Sequence, residues 1–349
     1  MNRLALIFAA AAIALCSAAP LVCPCKDAYD VFNTQFARPT VDVAGYFYRC
    51  NIFCDNLDAI TRHNSNPAST YKVRVKPLHD LTPEERVRQL RFGYRPGPRD
   101  KSRDTFATAA DFPDHDPAQD SANWFLQDRV TDIRDQGQCG DCWAESATGV
   151  LESAYAQQTG LLTQLSVQQA AECPSGFEHD EGCNGGWPID VFTYVKNQSG
   201  GLCTEAAYPT VIGSGIDVAC NATLMSNCTQ PIRINQIMSI PTGNETLLLY
   251  AVQRDVVSVA IDASGMGFYS YADGVYDGTF NNQTDCSPTA LDHAVIATGY
   301  GTFLDGDIPF YILRNSWGSD AWGALNGYIL FKRGTNTCGI ATDATYITF

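Results

Sequence analysis

The sequence has few of the features that indicate a membrane protein, a nucleic-acid-binding protein or a disordered chain. The apolar run at residues 4–15 is too short to span a bilayer, and no later stretch reaches the roughly 18 apolar residues that a membrane-spanning helix requires. Basic residues are scarce, with 23 Lys and Arg against 38 Asp and Glu, so the positive surface that nucleic-acid binding uses is not expected. There is no internal repeat or low-complexity tract, and 45% of the 349 residues are hydrophobic. We expect a soluble globular protein that binds neither membranes nor nucleic acids.

The N-terminus and the cysteines indicate the secretory pathway. The apolar run at residues 4–15 is followed by small residues up to Ala19, which is the layout of a signal peptide over residues 1–19. Fourteen cysteines behind such a signal predict disulfides, because cytosolic thiols are kept reduced. Nine of these cysteines fall from Cys139 to Cys338, and this odd number predicts one unpaired thiol.

Five N-x-[ST] sequons fit a glycosylated secretory product. We expect the mature protein in the lysosome or outside the cell, and the sequence leaves both destinations open. The sequons begin at Asn197, Asn221, Asn227, Asn244 and Asn282.

Charge divides the chain after the signal peptide into a basic leader segment, residues 20–108, and an acidic body, residues 109–349. The leader segment has 14 Lys and Arg against 10 Asp and Glu, whereas the body has 8 against 28. The basic leader segment and the acidic body would attract each other at neutral pH, and less strongly once carboxylates are protonated. The alternative is that the charge imbalance only favours solubility. Residues 94–120, rich in Pro, Arg and Asp, are predicted to be an exposed linker and a processing site.

Hydrophobic periodicity divides the body into a helical half and a β half. Apolar positions from Cys142 to Tyr155 recur at helical spacing, and Gly160 follows where the helix would end. Residues 27–66 of the leader segment are also predicted to be largely helical. In the second half, five short runs rich in Val, Ile, Tyr and Phe predict antiparallel strands at residues 256–261, 293–300, 310–314, 327–333 and 344–349. We therefore predict an α+β fold of two lobes with a site in the cleft between them.

Cys142 would stand at the N-terminus of the predicted body helix, where the helix dipole lowers the pKa of a thiol. A thiolate nucleophile also needs an imidazole, and the body offers only His115, His179 and His293. His293 begins an apolar strand, whereas the other two lie in polar segments. Because a histidine in a strand is by default a packed core residue, these features alone leave catalysis and packing both open.

Residues 136–144, Gln-Gly-Gln-Cys-Gly-Asp-Cys-Trp-Ala, strongly resemble the nucleophile segment of papain-like cysteine peptidases. His293-Ala-Val and Asn315-Ser-Trp-Gly match the segments that carry the base and its orienting residue in that family. The resemblance implies that Cys142 attacks the scissile carbonyl, that His293 forms the ion pair and protonates the leaving amine, and that Asn315 orients the imidazole. Gln136 would donate its side-chain amide to the oxyanion. No cofactor is implied.

Residues 183–188, Cys-Asn-Gly-Gly-Trp-Pro, resemble the substrate-binding segment of the same family. Gly185 and Gly186 would let an extended substrate approach and pair with the enzyme backbone. The resemblance places Asp343 where the main specificity pocket, S2, is closed, and a carboxylate there would accept Arg or Lys at P2 as well as apolar side chains. If the alignment slips by one residue, Asp343 is a surface acid. The other residues assigned to substrate binding are Trp187, Pro188, Ala260, Asp292 and Trp317, the last of which would shield the catalytic hydrogen bond from water unless it only packs in the core.

The leader segment resembles the inhibitory propeptides of the cathepsin L-like branch. These propeptides carry a sequence pattern along one helix, and Gly45 stands in place of the Glu that begins it. They also carry a second sequence pattern, of which this chain keeps only the Asp, at Asp80. The resemblance implies an inhibitory propeptide over residues 20–108 and a peptidase domain over residues 109–349. The five matching positions, which lie on one helical face, are Arg49, Phe53, Asn56, Ile60 and Asn64.

The same resemblance implies a pairing for the cysteines of the body and leaves Cys142 without a partner, in agreement with the odd count. Cys50 and Cys54, one helical turn apart, could link to Cys23 and Cys25. The implied pairs are Cys139 with Cys183, Cys173 with Cys220, Cys286 with Cys338 and, as a possible fourth, Cys203 with Cys228.

Two acidic residues depart from the family pattern. Asp141 replaces a small residue beside the nucleophile, where it would either complement the helix dipole or disfavour the thiolate. Glu145 replaces a buried Phe and must find a partner, reach solvent or hold a proton, and we expect a shifted pH optimum.

An active cysteine endopeptidase is the function predicted from these segments. The alternatives are a catalytically inactive papain-fold binding protein and a disulfide-rich lectin or adhesion module, but the second explains neither the Cys, His and Asn set nor Gln136. Cys139 and Cys142 resemble half of a zinc knuckle, but no second half follows, so no metal is expected. The expected partners are protein and peptide substrates, the chain's own propeptide and cystatin-like inhibitors, and the protein is expected to be a monomer.

Overall fold

The structure is a computed structural model that describes residues 22–98, 104–174, 182–226, 228–303, 308–319, 322–323 and 326–349. The predicted signal peptide, His179 and the sequon at Asn227 lie outside these residues. Among the described helices, none is long and apolar enough to cross a membrane.

Leader residues 22–98 fold into three helices and one short strand: α1 (Lys26–Gln35), α2 (Val43–Ser65), β1 (Tyr71–Val73) and α3 (Pro83–Leu90). Asp42 caps α2 by accepting a hydrogen bond from the Gly45 N–H, and Thr82 with Glu85 forms a capping box on α3. Helices α1 and α2 enclose a small aromatic core that includes Phe32 and Phe53, so the predicted helical character of this region is confirmed.

The chain then passes through β2 (Thr105–Phe106) and β3 (Ala122–Asn123) to the helical lobe of the body. Helix α4 (Cys142–Thr159) ends where predicted, and Gly160 follows as its C-cap in the left-handed conformation. The lobe is completed by α5 (Val167–Glu172), α6 (Pro188–Tyr194), β4 (Gly201–Cys203), α7 (Ala222–Met225) and β5 (Thr229–Pro231).

The second lobe is a large, mostly antiparallel sheet with two helices, and the α+β prediction is confirmed. Each of the five predicted strand runs forms a strand, with ends shifted by one to three residues. Its elements are β6 (Gln236–Ser239), α8 (Glu245–Arg254), β7 (Val257–Ile261), α9 (Met266–Ser270), β8 (Tyr271–Tyr276), β9 (Thr279–Phe280), β10 (Gln283–Thr284), β11 (His293–Phe303), β12 (Ile308–Arg314), β13 (Tyr328–Lys332) and β14 (Ala344–Thr348).

The sheet order is β1-β8-β13-β12-β11-β7-β14-β6-β2, so the leader segment supplies both terminal strands of this path. The prediction of an exposed linker over residues 94–120 is wrong in part, because Tyr94, Ala107 and Phe112 are buried. The polar composition of residues 94–120 favours exposure, but β2 pairs with β6 and the apolar side chains of this stretch pack against the body.

The cysteines form six disulfides among the described residues, and Cys142 is free. Two of the disulfides anchor the start of the leader segment to α2, next to the small aromatic core. The pairs are Cys23–Cys50, Cys25–Cys54, Cys139–Cys183, Cys173–Cys220, Cys203–Cys228 and Cys286–Cys338.

Candidate active site

Cys142 is the first residue of α4 and is fully buried. The turn in front of it is held by the Cys139–Cys183 disulfide and by the Gly140 N–H, which donates to the Cys183 carbonyl at 3.0 Å. The Sγ atom of Cys142 accepts a hydrogen bond from the Ala294 N–H of β11 at 3.5 Å. Because Ala294 follows His293 directly, the packing of α4 on β11 brings the thiol next to the imidazole residue.

His293 is the first residue of β11, and Asn315 follows the last residue of β12, the strand that pairs with β11. Both residues are buried. The Nε2 atom of His293 is 2.7 Å from Oδ1 of Asn315, while Nδ1 has no hydrogen-bond partner among the described residues. The Trp317 ring packs against the imidazole, with the ring centres 5.0 Å apart.

The side chain of Gln136 is buried at the same end of the cleft. Its Nε2 atom donates to the Cys139 carbonyl at 2.8 Å, and its Oε1 atom accepts from the Ser316 hydroxyl at 2.7 Å. The amide is therefore fixed between the loop that precedes Cys142 and the loop that follows β12.

Burial keeps the candidate pair uncharged in this form of the chain. It raises the pKa of the Cys142 thiol to about 12, against the lowering effect of hydrogen bonds from the Ala294 and Gly93 backbone. Burial also lowers the pKa of His293 to about 4, although the hydrogen bond to Asn315 favours the imidazolium. A buried thiol and a neutral imidazole are thus the stable forms while the leader segment is in place.

Residues 92–95 of the leader segment occupy the cleft and pair with the predicted substrate-binding backbone. The Gly186 N–H donates to the Gly93 carbonyl and the Arg95 N–H donates to the Gly186 carbonyl, each at 2.9 Å. Tyr94 forms a parallel bridge with Gly186, and its N–H donates to the Asp292 carbonyl at 3.0 Å. Sequence reasoning missed this segment, for which the only signal was a glycine between two aromatic residues.

The Phe92 ring covers the candidate site from the solvent side. Its centre is 5.6 Å from the His293 ring and 6.0 Å from the Trp317 ring.

The side chain of Tyr94 reaches one of the predicted pocket residues, Asp343. The Tyr94 hydroxyl donates to Oδ2 of Asp343, and Nε1 of Trp187 donates to the same oxygen at 3.2 Å. The Ala260 N–H donates to the Asp343 carbonyl at 2.9 Å, and Pro188 begins α6 directly after Trp187. The structure therefore links Trp187, Ala260 and Tyr94 to Asp343 by hydrogen bonds.

The four described sequons lie at the surface or partly exposed, and two of their asparagines act as helix caps. Asn282 is exposed and its Oδ1 atom accepts from the Asn66 amide of the leader segment at 3.0 Å. The four positions are Asn197, Asn221, Asn244 and Asn282.

A family profile described as "Papain family cysteine protease" matches residues 118–348. The chain belongs to the papain family of cysteine proteases. It is 38% identical to digestive cysteine proteinase 1 of Homarus americanus over 92% of this chain and 94% of that protein. It is 33% identical to cathepsin L of Sarcophaga peregrina over 99% of each chain. The structure of digestive procathepsin L2 from the larval midgut of Tenebrio molitor covers 93% of this chain and 99% of its own, with a TM-score of 0.78 and 31% identity.

The matches extend through the leader segment as well as the body, and this papain-family chain is a cysteine endopeptidase made as a zymogen.

A buried ionic cluster lies behind the cleft of this papain-family chain, and sequence reasoning identified only one of its members, Glu145. Arg134 forms an ion pair with Glu152 and lies 3.6 Å from Oε2 of Glu145. The Thr131 hydroxyl donates to Glu152 at 2.6 Å and accepts from Arg314 at 2.9 Å. Glu145 thus lies away from solvent and at ion-pair distance from Arg134, while burial raises the pKa of its carboxyl group. The signal that could have indicated the cluster was a pair of acids on an otherwise apolar helix.

Proposed function

We propose that Cys142, His293 and Asn315 carry out peptide-bond hydrolysis in this endopeptidase. The observation that carries the proposal is the continuous contact from Cys142 Sγ through the β11 backbone to the His293 imidazole, which Asn315 holds at 2.7 Å. The Cys142 thiolate attacks the scissile carbonyl, and His293, holding the proton, passes it to the leaving amine as the acyl-enzyme forms. Water activated by His293 then hydrolyses the thioester. Asn315 fixes the ring so that Nδ1 serves this proton transfer.

The Gln136 amide and the Cys142 N–H would stabilise the oxyanion. An amide nitrogen has two hydrogens, and only one is needed for the bond to the Cys139 carbonyl. Because Ser316 holds the other end of the amide, the second hydrogen is available in a fixed direction. Preorganised donors of this kind stabilise the transition state without having to reorganise.

The leader segment, residues 20–108, would act as the inhibitory propeptide of a peptidase domain at residues 109–349. Residues 92–95 take the backbone positions that a substrate would need at Gly186, and Phe92 covers the imidazole. Removal of this segment would let water reach Cys142 and His293, which lowers the cost of charging both groups. The ion pair would therefore form only after the propeptide leaves.

The S2 pocket would select P2 side chains that carry a polar tip on an apolar body. Asp343 already accepts a hydrogen bond from the Tyr94 hydroxyl and another from the indole N–H of Trp187. A P2 arginine or lysine would offer a charged donor to the same carboxylate, and apolar side chains would use the walls alone.

The predicted signal peptide and sequons support a location in the secretory pathway, in the lysosome or outside the cell. We also propose that the protein is a monomer and that cystatin-like inhibitors bind in its cleft.

The test is hydrolysis of fluorogenic dipeptides with Phe, Leu, Tyr or Arg at P2, by processed protein in the presence of a reducing agent. We expect turnover that disappears in Cys142→Ala. In Asp343→Ala we expect hydrolysis of the dipeptides with Arg or Tyr at P2 to be lost and hydrolysis of the dipeptide with Leu at P2 to be retained. Absence of turnover from folded, processed protein between about pH 4 and 8 would indicate an inactive papain-fold binding protein instead.

A further inference from the structure

The two disulfides of the leader segment lie side by side on one face of α2. Cys23 pairs with Cys50, and Cys25 pairs with Cys54. Because Cys50 and Cys54 are one helical turn apart, their Sγ atoms lie only 3.7 Å from each other. The Sγ atoms of Cys23, Cys50 and Cys54 all lie within 4.8 Å of one another. A thiolate formed at Cys54 would therefore already touch the sulfur of the neighbouring disulfide.

The Cys25–Cys54 disulfide is the one that a reductant would reach first. Both of its cysteines are partly exposed, whereas every other disulfide among the described residues contains at least one buried cysteine. The Cys25 N–H donates to Sγ of Cys54 at 3.1 Å, and such a hydrogen bond stabilises Cys54 as a thiolate leaving group. The buried cysteines of the other disulfides are Cys50, Cys139, Cys173, Cys183, Cys203 and Cys338.

We propose that the leader segment contains a thiol-exchange relay, in which a small-molecule thiol opens Cys25–Cys54 and the freed Cys54 then displaces Cys23 from Cys50. The thiolate of the reductant attacks Sγ of Cys25, the Cys25–Cys54 bond breaks, and Cys54 leaves as a thiolate. Cys54 attacks Sγ of Cys50, so a Cys50–Cys54 disulfide forms and Cys23 leaves as a thiolate.

A second molecule of the reductant then attacks the mixed disulfide and releases Cys25. In total, two small thiols are oxidised to one disulfide, and Cys23 and Cys25 are reduced and take up the two protons. The new bond fits α2, because residues four apart in an α-helix have Cα atoms about 6 Å apart, within the range that a disulfide spans. One round of reduction therefore removes both links between the start of the leader segment and α2.

Helix α1 would lose its covalent anchor in this exchange. It would then depend on the small aromatic core, where the ring centres of Phe32 and Phe53 are 4.5 Å apart. Arg38, which follows α1, donates to both carboxylate oxygens of Asp80, at 2.7 and 3.0 Å. Asp80 adjoins His79, which contacts Ser270 of α9 at 2.9 Å. Undocking of α1 would thus loosen the part of the leader segment that rests on the body.

Reduction would in this way promote removal of the leader segment under the conditions that keep Cys142 a free thiol. This consequence rests on the proposed inhibitory role of the leader segment, whereas the exchange itself does not.

The experiment treats the full precursor carrying Cys142→Ala with increasing glutathione, alkylates free thiols with iodoacetamide and maps the cysteines by mass spectrometry. We expect Cys23 to be alkylated, Cys25 to be alkylated or bound to glutathione, and a Cys50–Cys54 disulfide to form before any body cysteine reacts. Alkylation of Cys54 with Cys23–Cys50 intact, or earlier reduction of a body disulfide, would overturn the relay.

Cys25→Ser and Cys54→Ser, in the same background, form a matched pair. Both lose the same disulfide, but only Cys25→Ser keeps the sulfur that attacks Cys50. Without any reductant we expect alkylation of Cys23 in Cys25→Ser and none in Cys54→Ser, and an unmodified Cys23 in both would overturn the relay. The glutathione series needs no variant of the leader cysteines, so it decides even if one of them fails to fold.

Cleavage of the leader segment by an added protease tests the loosening. We expect it to be about 10-fold faster in Cys25→Ser, and in the glutathione-treated precursor, than in Cys54→Ser, because only the first two have lost both anchors of α1. Equal rates would overturn the loosening. If the relay and the loosening occur but the precursor with Cys142 intact gains no activity, the proposed function fails and the relay stands.

Discussion

The backbone of Gly93 in the leader segment touches that of Gly140 in the loop before the nucleophile so closely that an added Cβ on Gly93 would lie 1.7 Å from the Gly140 carbonyl oxygen. The Gly93 carbonyl accepts from the Gly186 N–H and the Gly140 N–H donates to the Cys183 carbonyl, so a shift of either backbone would disturb a hydrogen bond. Only glycine fits this contact.

We therefore expect Gly93→Ala to weaken inhibition of the zymogen. Overpacking of this kind costs about 2 kcal/mol, which corresponds to an about 30-fold larger fraction of open cleft. The measurement is the residual activity of uncleaved precursor at neutral pH. Gly45→Ala is the control, since a Cβ there has no contact shorter than 3.1 Å and adds helix propensity in α2. Equal residual activity in the two variants would contradict the prediction.

Removing the Gln136 amide should lower kcat by about 100- to 1000-fold with little change in KM, because an oxyanion donor acts in the transition state. The variant is Gln136→Ala. Ser316→Ala serves as its control, since it keeps the amide and removes only the hydroxyl that holds Oε1. We expect a smaller loss there, and a KM increase without a kcat effect in Gln136→Ala would argue against the oxyanion role.

The sequence predicts those features that depend on residues close together in the chain. Helix α4 was recognised from apolar spacing and from Gly160, which ends it in a left-handed conformation that glycine adopts at little cost. The strands of the second lobe were found because their Val, Ile and Tyr runs are interrupted by turn residues. Periodicity alone could not bring Cys142 and His293 together, since their contact depends on how α4 packs on β11. The resemblance to a known family supplied that step.

What the sequence could not show depends on long-range burial. Tyr94 lies in a stretch whose Pro, Arg and Asp content suggests exposure, yet it is buried and its hydroxyl donates to Asp343. Arg134 and Glu152 belong to different local patterns, and only the tertiary fold reveals that they share a buried ion pair.

Breaking that ion pair should destabilise the body more than breaking a surface pair. Glu152 is fully buried and accepts from Arg134, Thr131 and the Leu165 N–H. Glu152→Ala would leave the buried Arg134 without its hydrogen-bonded counter-charge and with only the more distant Glu145 carboxylate, and we expect the free energy of unfolding to fall by about 3 to 5 kcal/mol. Chemical denaturation of the full precursor measures this loss.

The control is Asp58→Ala in α2. Asp58 pairs with Arg62, and both side chains are more than 60% exposed. Surface pairs contribute about 0 to 1 kcal/mol, so this variant should unfold nearly like the wild type. Similar losses in the two variants would mean that burial does not govern the strength of the Arg134–Glu152 pair.

Acid should loosen the leader segment through His79, which is buried where this segment meets α9. Its Nδ1 atom accepts from the Lys76 N–H at 2.7 Å, and Nε2 lies 2.9 Å from the Ser270 hydroxyl. Burial, together with the nearby charges of Arg86 and Lys76, lowers the pKa of His79 to about 4. Lys76 is itself buried, and its pKa is lowered to about 6.

For a base whose pKa is depressed by docking, docking is strongest above the free pKa and is lost as the pH falls towards the docked pKa. With His79 the window runs from about pH 6.5 down to about 4, and the loss approaches about 3 kcal/mol. Protonation of Lys76 also weakens docking, but most of this effect falls at a pH above its lowered pKa of about 6, so it changes docking little between pH 6.5 and 4.

His79→Gln should therefore flatten the pH dependence of docking between pH 6.5 and 4, because glutamine cannot take up a proton. The measurement is susceptibility of the leader segment to an added protease as a function of pH, in a Cys142→Ala background that prevents self-cleavage. The slope is compared rather than the absolute stability, since the variant also loses hydrogen bonds to Lys76 and Ser270. An equally steep slope in His79→Gln would assign acid loosening to the carboxylates of the body, whose attraction for the basic leader segment also weakens as they are protonated.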